Sequence, residues 1–138
     1  MKLALVSPAA ERQERRDRMR RHRAAALALR EVFPAVQQLR LELLFQGSTT
    51  STTPATQSHT MHAPAPAFFE FLCPYADCDG YFDLSAAVKA ALADPAHRTT
   101  GALGCSGKRA VRMGAKELCQ LQLNYTVIAT FQIGRAHV

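Results

Sequence analysis

The sequence predicts an α+β fold: a small three-stranded antiparallel sheet with helices on one face, in the order α-β-β-α-β. Three observations lead there. Residues 37–46 and 118–132 alternate apolar and polar side chains with period two, the pattern of half-buried strands. Residues 8–33 and 84–93 run between helix starts and proline stops without a breaker. The four cysteines of the chain, Cys73, Cys78, Cys105 and Cys119, all fall in its second half, where the elements can gather them at one end of the sheet.

The first element begins at Ser7-Pro8, a hydroxyl N-cap followed by proline at the first helical position. It ends at Pro34, which cannot continue a helix. Its two halves differ. Residues 11–23 hold seven arginines against Glu11, Glu14 and Asp17, with Met19 the only large apolar group. Residues 24–33 are alanine-rich and apolar, with Ala25, Leu29, Val32 and Phe33 near one face. The second half is expected to dock on a core, and the first to project into solvent as a basic helical extension, residues 1–23.

In the next element Leu39, Leu41, Leu43 and Phe45 face one way, and Gln38, Arg40, Glu42 and Gln46 the other. Leu44 is out of phase. Residues 47–66 are Ser, Thr, Pro, Ala and His without periodicity, and read as a flexible loop. Residues 67–73 form the second expected strand, with Phe69, Phe71 and Cys73 on one side. Cys73-Pro74-Tyr75-Ala76-Asp77-Cys78-Asp79-Gly80 is a turn by composition. Asp83 can cap a short helix to Ala93 that presents Leu84, Val88, Ala91 and Leu92 and is closed by Pro95. Residues 96–117 read as a basic loop holding Cys105. In the last strand Cys119, Leu121, Leu123, Tyr125, Val127, Ala129 and Phe131 share a face, opposite Gln120, Gln122, Asn124, Thr126, Thr130 and Gln132.

The folded part, residues 24–132, is small enough that a metal or disulfides often supplement its core. No apolar run approaches the roughly 20 residues of a membrane span. The apolar start at Leu3–Val6 is shorter than the about 7–15 residues of a signal-peptide core. These features point to the cytoplasm, where thiols stay reduced. The spacings Cys73-x4-Cys78 and Cys105-x13-Cys119 then suit one structural Zn2+ held by four thiolates. Disulfides or redox thiols, and unlinked buried cysteines, are the other readings, and His97 is a substitute ligand. Asp77, Asp79 and Asp83 form a fragment of a calcium loop that lacks its glutamate. Over residues 67–125 the cysteine pattern resembles zinc-ribbon proteins, in which two turns clamp zinc beside a small antiparallel sheet. It departs from them in having no Cys-x2-Cys pair. The resemblance implies a structural metal rather than a catalytic one. A site with four thiolates has no open position, and no phosphate-binding glycine loop or His-Glu-x-x-His motif is present.

The net charge is +6. Such a balance favours anionic partners, and Arg12, Arg15, Arg16, Arg20 and Arg23, with Lys108, Arg109 and Arg112 between the last two cysteines, are the candidate nucleic-acid contacts. No aromatic platform is interleaved with them. The expected function is a non-enzymatic, zinc-stabilised binding module for nucleic acid. The alternative is a protein-interaction or accessory subunit of a bacterial system, in which zinc only supports the sheet. The composition says nothing of oligomeric state. Residues 133–138, Ile-Gly-Arg-Ala-His-Val, resemble the translation of a common sequencing adapter, so the natural chain is expected to continue past Gln132.

Overall fold

The computed structural model describes residues 8–47, 55–75, 77–112 and 115–132. Ser7, the expected helix cap, and the adapter-like residues 133–138 lie outside them. The elements are α1 (Pro8–Ala25), α2 (Leu29–Val32), β1 (Val36–Gln46), β2 (Ala55–His62), β3 (Glu70–Leu72), β4 (Tyr81–Asp83), α3 (Ser85–Ala93), β5 (Arg98–Gly104), β6 (Lys108–Arg112), β7 (Ala115–Leu118) and β8 (Gln122–Phe131). Among the described residues, no helix is long and apolar enough to cross a membrane.

The expected three-stranded sheet with helices on one face does not form. The protein is mostly β: a four-stranded antiparallel sheet in the order β2-β1-β8-β5, with two separate hairpins, β3–β4 and β6–β7. The last expected strand, residues 118–132, is split: Leu118 ends β7 and only Gln122–Phe131 form β8, but the alternation of β1 and β8 does set their faces. Leu39, Leu41, Leu43 and Phe45 of β1 are buried, as are Leu123, Val127 and Ala129 of β8. Their register pairs Leu41 with Val127 and Phe45 with Leu123, so one apolar surface crosses both strands. Ala87, Val88 and Ala91 of α3 complete the core, together with Leu29, Phe69, Phe71 and Phe82. Phe45 and Phe82 pack with ring centroids 5.5 Å apart.

Four strands arise where loops were expected: β2 in residues 47–66, and β5, β6 and most of β7 in residues 96–117. Strand β2 pairs along β1 from Gln38↔His62 to Phe45↔Ala55. It is largely exposed, so the backbone ladder holds it rather than an apolar stripe. Strand β5 pairs with β8, and Gly101 sits opposite Tyr125. A Cβ at Gly101 would run into the Tyr125 ring, so glycine lets the tyrosine lie across β5. The second expected strand also pairs differently. Residues 70–72 turn back on β4, with Phe71 opposite Phe82, and do not join β1.

The first helix is shorter than its sequence predicts. It stops at Ala25, because the backbone beyond pairs with residues 63–67. Leu29 N–H donates to Ala65 O at 2.7 Å, and Ala67 N–H to Leu27 O at 2.8 Å. Ala28 is consequently extended, and this pairing overrides the helix propensity of the alanines. Leu29 is buried, but Leu27 and Val32 are exposed, so residues 24–33 do not lie on the sheet as one apolar helix. Asp83 does lead into the α3 helix by accepting the Ser85 N–H at 2.9 Å.

The face assignment of β1 is checked by paired substitutions. Leu41→Ala is expected to cost about 2–5 kcal/mol in urea unfolding, since it empties a fully buried site. Arg40→Gln, on the outer face, is expected to cost less than about 1 kcal/mol.

Candidate metal centre

Three connections build the cysteine cluster. The β3–β4 loop supplies Cys73 and Cys78, the β5–β6 connection Cys105, and the β7–β8 connection Cys119. Backbone hydrogen bonds tie these connections together. Cys105 N–H donates to Leu121 O at 3.0 Å, Cys119 N–H to Gly107 O at 2.9 Å, and Asp79 N–H to Lys108 O at 3.2 Å. The Asp79 carboxylate accepts the Lys108 N–H at 2.7 Å in return. Within the first loop, Cys73 N–H donates to Gly80 O and Cys78 N–H to Tyr75 O.

Two short segments repeat one geometry. In Cys78-Asp79-Gly80 the Gly80 N–H points at Cys78 Sγ, 3.3 Å away. In Cys105-Ser106-Gly107 the Gly107 N–H points at Cys105 Sγ, 3.4 Å away. The glycines stand back to back. A Cβ on Gly80 would lie 2.5 Å from Cys105 Sγ and 2.6 Å from Gly107 N, and one on Gly107 would strike the Gly80 backbone. Neither position has room for a side chain. The Cys-x-Gly repeat is visible in the sequence and is the signal that best marks this site.

All four Sγ atoms lie within 4.8 Å of one another. Cys78 and Cys105 are 3.5 Å apart, and Cys73 and Cys119 are 3.9 Å apart. Four sulfurs bound to one zinc ion at about 2.3 Å would stand about 3.8 Å apart in a tetrahedron. All four are free thiols, and Cys73, Cys78 and Cys119 are buried. The donor set and its spacing therefore fit a thiolate-bound divalent ion.

Burial and mutual repulsion favour the neutral thiols. Burial pushes the Cys73 thiol far up, against a backbone hydrogen bond from Tyr75, and its three neighbouring cysteines raise it further. Burial likewise pushes Cys105 up to about 12, opposed by the Gly107 N–H and reinforced by Cys78 and Cys119. Four thiolates cannot coexist there without a cation, and a metal would displace the protons as it binds. The backbone N–H donors already face the sulfurs, where they favour the thiolate form.

The other candidates fall elsewhere. His97 is outside the cluster. It occupies the α3–β5 turn with a φ of 56°, and its ring rests 4.3 Å from that of Phe131. The three aspartates do not form a calcium loop. Asp77 pairs with Arg109 at 3.0 Å, Asp79 with Lys116 at 3.7 Å, and Asp83 with Ser85.

The basic residues divide into two groups. Arg12 Nη1 donates to Tyr75 O at 3.1 Å, and Arg15 Nη2 to Cys78 O at 2.7 Å. The Arg109 guanidinium lies 3.8 Å over the Tyr75 ring. These three bind the first cysteine loop, so the α1 helix does not simply project into solvent. Arg23 lies 5.3 Å over the Phe68 ring. Arg20 pairs with Asp17 at 2.9 Å. Arg16 and Lys108 are exposed, and Arg112 lies on β6 with its side chain outside those described. No family model, curated protein or solved structure matches the chain.

Two substitutions probe this geometry. Cys119→Ser is expected to abolish tight Zn2+ binding or to unfold the protein, because binding and folding are coupled. Gly80→Ala keeps every ligand but forces the two glycine turns apart. It is expected to weaken Zn2+ roughly 10- to 100-fold in a competition titration with a chromogenic chelator.

Proposed function

We infer that this protein is a non-enzymatic binding module, stapled by a structural Zn2+ at Cys73, Cys78, Cys105 and Cys119, that contacts nucleic acid through a basic surface. One observation carries the reading. The basic residues of α1 and of the β6–β7 hairpin, far apart in sequence, converge on one cysteine loop. Arg12 and Arg109 both engage Tyr75, by its carbonyl and by its ring. Arg16 and Lys108 remain exposed on the same two elements. A surface of this kind supports phosphate contacts that are salt-dependent and largely independent of sequence.

The division of labour among the arginines refines the contact set. Arg12, Arg15 and Arg109 serve the fold, because each already has an internal partner. Arg16 and Lys108, both exposed, are the residues offered to phosphate. Zinc has a structural role in this reading, since four thiolates leave it no open position.

A second reading has its own observation. The outer face of the four-stranded sheet carries an open concavity of about 850 Å³, lined by Thr56, Ser58, Thr100, Asn124 and Thr126 around the Arg40–Glu42 ion pair. It has few basic groups and suits a protein partner better than a phosphate backbone.

The test is binding of single- and double-stranded DNA and RNA at two salt concentrations. Arg16→Gln combined with Lys108→Gln is expected to lower the slope of log affinity against log salt by about 2, one for each phosphate contact removed. Binding absent at low salt, or a slope unchanged in the double variant, would put protein docking first.

A further inference from the structure

We propose that occupancy of the cysteine site controls the docking of α1, so that metal and helix bind the same loop cooperatively. This rests on the reading that the four cysteines hold Zn2+.

The α1 helix has little of its own to hold it. Of residues 11–23 only Met19 is a large apolar group, and most of the helix is exposed. A groove of about 250 Å³ remains between Arg15, Met19 and His22 on one side and Leu72, Asp79 and Tyr81 on the other, so the helix is not packed flush on the β3–β4 hairpin. Besides Arg23 over the Phe68 ring near its end, its named attachments are polar and lie at the cysteine loop. Arg12 and Arg15 reach over to the carbonyls of Tyr75 and Cys78.

Those two carbonyls belong to the loop that presents the sulfurs. Tyr75 O accepts the Cys78 N–H at 3.2 Å as well as the Arg12 guanidinium. The carbonyl bound by Arg15 belongs to a cysteine whose sulfur accepts the Gly80 N–H at 3.3 Å. One backbone arrangement thus serves both partners: N–H groups turned to the thiols, carbonyls turned to the arginines. A metal drawing the thiolates together holds the carbonyls where the arginines need them. Without it, the four thiols no longer require this loop conformation, and the Arg12–Arg15 latch loses its target.

Two ligands of one conformational state must stabilise each other equally. The metal should therefore raise the protection of α1, and the latch should slow the escape of the metal. The coupling also bears on the partner surface. Release of α1 frees Arg12 and Arg15 from their carbonyls, so metal loss would change which arginines are open to an anionic partner.

The experiment follows amide hydrogen exchange of α1, and tryptic cleavage at its arginines, in the full chain under reducing conditions. The chain is loaded with one equivalent of Zn2+ or treated with a chelator. Zinc released by a thiol reagent is measured in parallel. Loading is expected to slow exchange and cleavage in α1 by roughly 5- to 150-fold, the usual range of such couplings, while β1 and β8 stay protected in both states. If no zinc binds, the metal reading itself is overturned. If zinc binds at one per chain and α1 exchanges equally fast in both states, the metal reading stands and the latch is overturned. If chelation also unprotects β1 and β8, the comparison moves to the zinc-loaded R12A/R15A variant, which keeps all four thiols. That variant should show a faster α1 and give up its zinc to chelator faster by a similar factor. Zinc transfer at the wild-type rate would overturn the proposal.

Discussion

Gathering four thiols, three of them buried, within 4.8 Å of one another is the constraint on which the surrounding structure depends. It requires three connections, drawn from both hairpins and the main sheet, to meet at one point. It requires backbone N–H groups rather than side chains beside the sulfurs, because little else is small enough to fit. It also requires Gly80 and Gly107 to face each other at a separation that admits no Cβ. The β3–β4 and β6–β7 hairpins are each only a few residues long, and a two-stranded hairpin is marginal in water by itself. Their tie through Asp79 and Lys108 makes them one structural unit.

The arginines of α1 take on a different meaning beside that unit. A run of seven arginines reads from sequence as a surface for an anionic partner. Two of them instead satisfy carbonyls of the cysteine loop, and a third lies over Phe68. The loop also carries Asp77 and Asp79, which draw in Arg109 and Lys116. Some of the charge that composition assigns to a partner is therefore internal wiring of the fold.

What was legible in the sequence was what periodicity can carry. The alternation of β1 and β8 names the buried residues of the core, and Asp83 and Pro95 bracket α3. The cysteines signal their convergence by type and number. Strands β2, β5, β6 and β7 were not legible, because their residues are polar, basic or small and they are held by ladder hydrogen bonds rather than by an apolar face, whether the partner is another strand, as for β2 and β5, or the next turn of chain, as for β6 and β7. Alternation marks a strand only when one face meets a core. The end of α1 at Ala25 was hidden for a related reason. Nothing in Ala24–Ala28 breaks a helix, and the competing partner is the backbone of residues 63–67. The repeated Cys-x-Gly is present in the sequence, but its force lies in the pairing of two such turns, which only the fold brings together.

The position of β8 in the sheet has a kinetic consequence. It sits between β1 and β5, so the central pairing joins Val36 to Phe131 and Phe45 to Leu123 across most of the chain. During synthesis β1 leaves the ribosome long before its partner exists. Until β8 arrives, β1 with its row Leu39, Leu41, Leu43 and Phe45 has only the polar strand β2 to pair with. A topology dominated by such distant contacts folds slowly and leaves apolar surface uncovered in the meantime. The nascent chain is therefore a natural client for a chaperone, and crowded overexpression would test its solubility before its stability.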